Sequence, residues 1–275
     1  MSVDNFIPEI TRAEVQVAYD LAKVVIATFA AIPEGEIRTG NAVKIVNATA
    51  PTVQDYAAQG REFTTEDLAG TDVTVLIDQE KATSQKVDDI DARQAAGSLS
   101  QYTDQQGVEL ARDAERFAIR TLIEGATLSS APAITTAAHF KTQARALASA
   151  MDAAEVPEEG RLLLVNVPAK ALGVEMLGDS TSTQAASGTE LRKNQIGEFA
   201  GFQIIWSPLF AEKTKAVMVA YHDQAVAFAD QISQTQAVRP ANSFADVVSS
   251  LAVYGAKVTR PAAVILSGIT NVVTP

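Results

Sequence analysis

Three aspartates, Asp88, Asp89 and Asp91, crowd into the stretch KVDDIDARQ (86–94), with Asp78 a short way upstream. Carboxylates are hard oxygen ligands, so such a group could hold magnesium or calcium. On that reading the chain is a metal-dependent enzyme built on Asp88, Asp89 and Asp91. The spacing matches neither an EF-hand loop nor the aspartate-rich motif of diphosphate chemistry. Lys86 and Arg93 flank the run and could neutralise it. The competing reading is structural, because negative charge is favourable at a helix start. Other chemistry is harder to place. His139 and His222 belong to no His-Glu-x-x-His arrangement. No Gly-x-Ser-x-Gly turn presents a serine nucleophile, and no Gly-x-Gly-x-x-Gly or Walker A loop cradles phosphate. The absence of cysteine removes disulfides, thiolate metal sites and cysteine nucleophiles. No catalytic, cofactor-binding or metal residue is assigned, no cofactor is expected, and the chain does not read as an enzyme.

The elements around these residues come from a chain of ordinary globular composition. It has 275 residues, 47% hydrophobic and 20% charged, enough for a full core in one large domain or two smaller ones. The net charge is −11, which repels phosphate backbones in bulk, and no basic stripe offsets it. An aspartate stands where a signal peptide needs positive charge. The apolar run VVIATFAAI (24–32) is far shorter than the ~20 residues of a membrane span. The expectation is a soluble, non-secreted protein with no membrane partner.

Residues 11–32 read as a helix, with Thr11 and Glu14 forming a capping-box pattern and Pro33 and Gly35 ending it. NAVKIVN (41–47) alternates like a strand, residues 48–70 are polar, and TDVTVLIDQEKATSQKV (71–87) alternates again. That sequence reads as an extended two-stranded arm, which is marginal in water on its own and needs a partner subunit to lie on. Tyr56, Arg61 and Phe63, with Glu62 among them, could suggest a nucleic-acid platform. In acidic surroundings they read instead as contacts to a neighbouring subunit.

Residues 103–126 read as a helix with an apolar stripe of Leu110, Ala114, Phe117, Ile119 and Leu122, while Arg112, Asp113, Glu115 and Arg116 face away. A second helix spans 136–154. GRLLLVNVP (160–168) is a buried strand, and a third helix starts at Pro168. Residues 178–190 read as a Gly/Ser/Thr-rich loop. In GFQIIWSPLF (201–210), Gly201 permits a turn, Ile204 and Trp206 pack inside, and Pro208 ends the pairing. A strand at 216–222 and a short helix follow, and residues 243–266 close the chain as a long β-rich segment. The irregular interleaving indicates an α+β fold.

Several stretches, in order, carry a family resemblance. DNFIPEI (4–10), PTVQDY (51–56), LIDQ (76–79), KVDDIDARQAAG (86–97), NQIGEFAGFQIIWS (194–207) and SFADVVSSLAVYGAKVTRP (243–261) resemble the major capsid proteins of tailed bacteriophages with the Hong Kong 97-type fold. The resemblance runs from about residue 4 to 265 and implies an organisation. Residues 1–46 would be an N-terminal arm and 47–87 the extended loop. Residues 88–133 and 241–275 would form a peripheral domain, with the helix at 103–126 as its spine, and 134–240 the axial domain.

It also implies a function. Copies of the chain would assemble into an icosahedral head of hexamers and pentamers that encloses double-stranded DNA without sequence-specific binding. They would do so in the host cytoplasm and end in the virion. Tyr56, Arg61, Glu62, Phe63, Lys86, Asp88, Asp89, Asp91 and Arg93 would be intersubunit contacts. A separate scaffolding protein, a portal and a cement or decoration protein are the expected partners. No lysine lies between Lys44 and Lys81, so the loop-lysine crosslink of some relatives is not expected. The capsid pattern begins close to Met1, so no maturation cleavage is expected either. An encapsulin-like shell around protein cargo is the alternative within the same fold.

Overall fold

The computed structural model describes residues 17–19, 22–31, 42–48, 52–55, 57, 61, 65, 70–88, 100–129, 132–179, 194–240 and 245–268. Its centre is a six-stranded mixed sheet in the order β5 (Thr127–Leu128), β12 (Val264–Ser267), β9 (Met218–His222), β6 (Arg161–Val165), β8 (Phe202–Trp206), β7 (Gln195–Phe199). Successive side chains of a strand point to opposite faces, so a sheet buried on both sides must be apolar throughout. β6 and β9 meet that requirement, with every residue buried. Leu162 and Leu164 enter one core, while Leu163 and Val165 enter the other. Val219 and Tyr221 alternate with Met218 and Ala220 in the same way.

The first core lies under α1 (Ser100–Glu124), whose Leu110, Ala111, Ala114, Ala118, Ile119 and Leu122 face inward. The second lies under α2 (Ala137–Ala153) and α3 (Val167–Asp179). Thr136 caps α2 by accepting the His139 N–H at 3.2 Å. Asn166, 1% exposed, fixes the start of α3. Its Oδ1 accepts from Ala169 at 3.1 Å and Val217 at 3.1 Å, while its Nδ2 donates to the carbonyls of Glu212 at 3.0 Å and Lys215 at 2.7 Å. A buried amide with all these partners locks one arrangement of loop and helix.

A four-stranded sheet extends beside α1 in the order β1 (Ala30–Ala31), β10 (Val226–Val238), β11 (Ala245–Val258), β4 (Gln79–Asp88). β2 (Ala42–Ala48) and β3 (Gly70–Leu76) form a separate antiparallel pair. No described helix is long and apolar enough to cross a membrane, which leaves strand-built membrane crossings unaddressed.

Five expectations change. The helix expected over 11–32 does not continue through Phe29. Ile26–Thr28 is a 3-10 turn and Ala30–Ala31 pairs with β10. The Glu115 carboxylate takes two of the N–H groups that a helix would use, and the backbone becomes extended at Phe29, with ψ 152°. Glu115, expected to face away, is 3% exposed. The alternating run 71–87 is two strands in different sheets, parted at Ile77 and Asp78. The short helix expected after His222 is a 3-10 turn, Asp223–Ala225, followed by the long strand β10. Its Gln-, Ser- and Thr-rich stretch hides the strand, which the ladder to β11 supplies from outside. Trp206 is only half-buried, with Lys170 Nζ 3.4 Å above its ring centroid. Ile204, by contrast, is fully buried, and Gly201 makes the β7–β8 turn at φ +78° after Ala200 at φ +53°. The loop expected at 178–190 lies outside the described residues from 180 on.

Candidate intersubunit surface

The β2–β3 pair stands away from both larger sheets. Its register runs from Ala42 opposite Leu76 to Ala48 opposite Gly70, and no third strand joins it among the described residues. Its root is buried: Val43, Val75 and Ile77 pack on Ala227 and Ala229 of β10, with Ile45 partly buried against them. Further out, Lys44 pairs with Asp72 on the exposed surface; at the root, the Leu76 side chain is 57% exposed. Val53, beyond the end of β2, is 97% exposed.

One glycine sets how the arm leaves the body. A side-chain carbon at Gly255 of β11 would stand 2.0 Å from the Leu76 carbonyl oxygen and 2.9 Å from Ile77 Cα. The chain therefore turns from β3 into β4 directly over β11, where only hydrogen fits. Lys257 Nζ adds a hydrogen bond to the Thr74 carbonyl at 3.1 Å.

The segment before β1 is anchored by polar groups. Glu115 of α1 accepts the backbone N–H groups of Val24 and Val25, the latter at 2.7 Å. Burial pushes the Glu115 carboxyl above the ordinary carboxylate range, opposed by these backbone donors and by Lys23. Lys23 pairs with Asp230 of β10 and lies 4.0 Å over the Tyr19 ring. Thr28 Oγ1 meets Tyr221 Oη at 2.6 Å, and burial holds the Tyr221 phenol above its ordinary value. Tyr254 Oη of β11 donates to Asp113 at 2.6 Å. Its phenol is also raised, first by burial and then by that carboxylate.

The residues singled out from the sequence are only partly brought into view. Lys86 is exposed on β4, and Asp88 is the last residue of that strand, opposite Ala245, rather than part of a helix start. Arg61 is exposed with φ +68°. Tyr56, Glu62, Phe63, Asp89, Asp91 and Arg93 lie outside the described residues. Asp78 is exposed and accepts from the Gln79 amide at 3.1 Å. Among the described residues no three His, Asp or Glu side chains group as metal ligands.

The remaining polar groups are engaged in holding loops. Arg161, 4% exposed, donates to Asp152 at 2.7 Å and to the Pro157 carbonyl at 2.9 Å, and also reaches the Val156 carbonyl. His222 Nε2 lies 2.9 Å from the Glu159 carbonyl, and its Nδ1 accepts from Gln224 at 3.2 Å. Glu212 accepts from the Thr214 hydroxyl and from the N–H groups of Lys215 and Thr214, which hold its carboxyl down to about 2. None of these groups pairs a nucleophile with a base. The buried anchors around Glu115 could be found only by noting a carboxylate on the apolar side of α1; no motif marks them.

No protein-family model and no curated protein matches the chain. Solved structures do. A chain from Mycobacterium phage Che8 is 33% identical, with a TM-score of 0.71, covering 89% of this chain and 90% of that one. The capsid structure of the cyanophage P-SCSP1u is similar at 15% identity and TM-score 0.61, over 86% and 88% of the two chains. The virus-like particle from Pyrococcus furiosus shares the fold at 11% identity and TM-score 0.61, over 94% and 98%.

Proposed function

This chain belongs to the major capsid proteins of tailed bacteriophages, with the Hong Kong 97-type fold, and from that premise we propose that its copies close into an icosahedral head of hexamers and pentamers around double-stranded DNA. It is a shell protein of the virion, and its neighbours are structural proteins, which points away from enzymatic activity. The observation that carries the proposal is the near-complete overlap with the Che8 chain at 33% identity. The β2–β3 arm supports it. A two-stranded element whose described buried residues lie toward its root gains most from a surface outside its own body.

In this reading residues 1–46 are the N-terminal arm and 47–87 the extended loop. Residues 88–133 and 241–275 form the peripheral domain with α1 as its spine, and 134–240 the axial domain. Tyr56, Arg61, Glu62, Phe63, Lys86, Asp88, Asp89, Asp91 and Arg93 contact neighbouring subunits. The bulk negative charge of the chain limits adhesion to the enclosed DNA. Assembly proceeds in the host cytoplasm with a separate scaffolding protein and a portal, and a cement protein or non-covalent contacts hold the shell. With no lysine between Lys44 and Lys81, no loop-lysine crosslink forms.

Negative-stain electron microscopy of the purified chain, alone and with a scaffolding protein from the same genome, tests assembly. Closed shells, tubes or capsomer rings support it; a uniform monomer in both samples refutes it. Nuclease-protected DNA in the particles separates a phage head from a shell around protein cargo. Intact mass under denaturing conditions reads any crosslink directly.

A further inference from the structure

Along α1 runs a groove that the shell-forming contacts proposed above do not use. Its main part, about 420 Å³, lies between α1 and the turn after β8, with Ile119, Ile123, Leu209 and Phe210 among its lining. A second part of about 310 Å³ shares Pro208 and Leu209 and continues it toward Val108 and Arg112. The two parts together follow α1 from Val108 to Ile123, roughly 22 Å at the rise of an α-helix.

The edge of this apolar channel carries four cations, with Glu124 and the buried Glu115 as the carboxylates among its lining. Arg112, Arg116 and Arg120 recur every fourth residue along α1, and Lys213 lines the other side. All four are exposed. Arg112 pairs with Glu109 and Arg120 with Glu124, both on the open helix surface where such pairs are worth little. Arg116 and Lys213 have no ion-pair partner among the described residues.

We infer that this groove is a docking site for an acidic amphipathic helix of another protein. Spacing supports the inference: the backbone positions of arginines every fourth residue are about 6 Å apart along the axis of α1, the interval at which every fourth side chain of a helix lying alongside would present a carboxylate. Ile123 and Leu209 are half-buried and would meet the apolar face of such a helix. Phosphate backbones match the charge but not the floor, since they bring no apolar group to it. Arginine in the rim favours carboxylate through its paired donors.

The test uses the purified full-length chain and fluorescence anisotropy. The probe is a labelled sixteen-residue peptide with leucine at helical spacing and glutamate on the flanks. The controls are the same peptide with serine for leucine, and a labelled DNA duplex. The double variant Arg116→Glu/Lys213→Glu changes only exposed side chains, and its fold is checked by circular dichroism. The expected result is saturable peptide binding, weakened at least tenfold by the double variant, by the serine peptide and by raised salt. Leu209→Asp, at the floor, should weaken binding independently of charge. Equal affinity for the leucine and serine peptides overturns the inference, as does binding that ignores both the rim and floor variants. Binding of the duplex in place of the peptide overturns it too and reassigns the rim to nucleic acid.

Discussion

The Glu115 carboxylate, midway along α1, accepts the backbone N–H of Val25 at 2.7 Å across ninety residues of chain. It also takes the Val24 N–H. One buried side chain thus fixes where the N-terminal segment stops following any helical path and turns toward β1. Glu115→Ala leaves both N–H groups without that partner in a buried setting, a loss of about 1–3 kcal/mol. Urea unfolding of the purified chain reads this as a lower midpoint with an unchanged slope. An unchanged midpoint would show that water replaces the carboxylate.

The same residue gives a pH signature. Burial raises the folded-state value of Glu115 above its ordinary 4.5. A raised acid favours the folded state most when protonated. Its contribution is therefore fully present below the unfolded value and is lost as pH rises through the folded one. Relative to Glu115→Gln, which stays neutral, the parent chain should gain stability as pH falls from neutrality toward 4.5. Parallel curves for the two proteins would contradict the assignment.

Gly255 allows the arm to cross β11. Gly255→Ala places a methyl group 2.0 Å from the Leu76 carbonyl, a backbone atom that cannot rotate away. Forced insertion of this kind costs about 1–3 kcal/mol. The arm must lift, so loss of particles in electron microscopy should exceed what the stability loss alone explains. A stability-matched core variant such as Leu163→Val is the comparison.

Tyr254→Phe removes the hydroxyl that bonds Asp113 at 2.6 Å while keeping the ring stacked near Phe228, centroids 6.1 Å apart. The expected cost is about 1 kcal/mol. In the double variant with Asp113→Ala the two losses should not add, because the same bond is removed twice. Full additivity would show that the hydroxyl and the carboxylate are not coupled.

Replacing residues 49–69 by Asn-Gly closes β2 and β3 with a two-residue turn at their observed register, Ala48 opposite Gly70. The shortened chain should unfold at the parent midpoint, since the root contacts of Val43, Val75 and Ile77 remain, yet form no shells. Normal shells from it would refute the assignment of 47–87 as the extended loop.

Legibility differed by the kind of signal. The buried strand β6 was plain because LLLV has no polar residue to expose, and α2 because Thr136 announces its start. The α+β class emerged from the irregular interleaving of helical and strand patterns and the family from ordered short stretches, neither from any reactive residue. What stayed hidden depends on distant chain. β10 looks polar until β11 lies beside it. Glu115 looks like an outward carboxylate until Val24 and Val25 arrive. The division of 71–87 at Ile77 and Asp78 follows from where Gly255 sits, far along the sequence. Of the anticipated contact residues, Lys86 and Arg61 are exposed and Asp88 ends β4, while the others fall outside the described residues.

The order of strands in the four-stranded sheet has a consequence for synthesis. Among the described residues β4, at 79–88, has its one strand partner in β11, at 245–254, and β1 waits for β10 at 227–228. A ribosome must therefore release nearly the whole chain before this sheet can close, and such distant pairings form slowly. A product truncated before Ala245 has no β11 to join β4 to β10. The sheet beside α1 is in effect a completeness check: a polypeptide cut short cannot build it, and protease resistance of β4 during translation should appear only at the end.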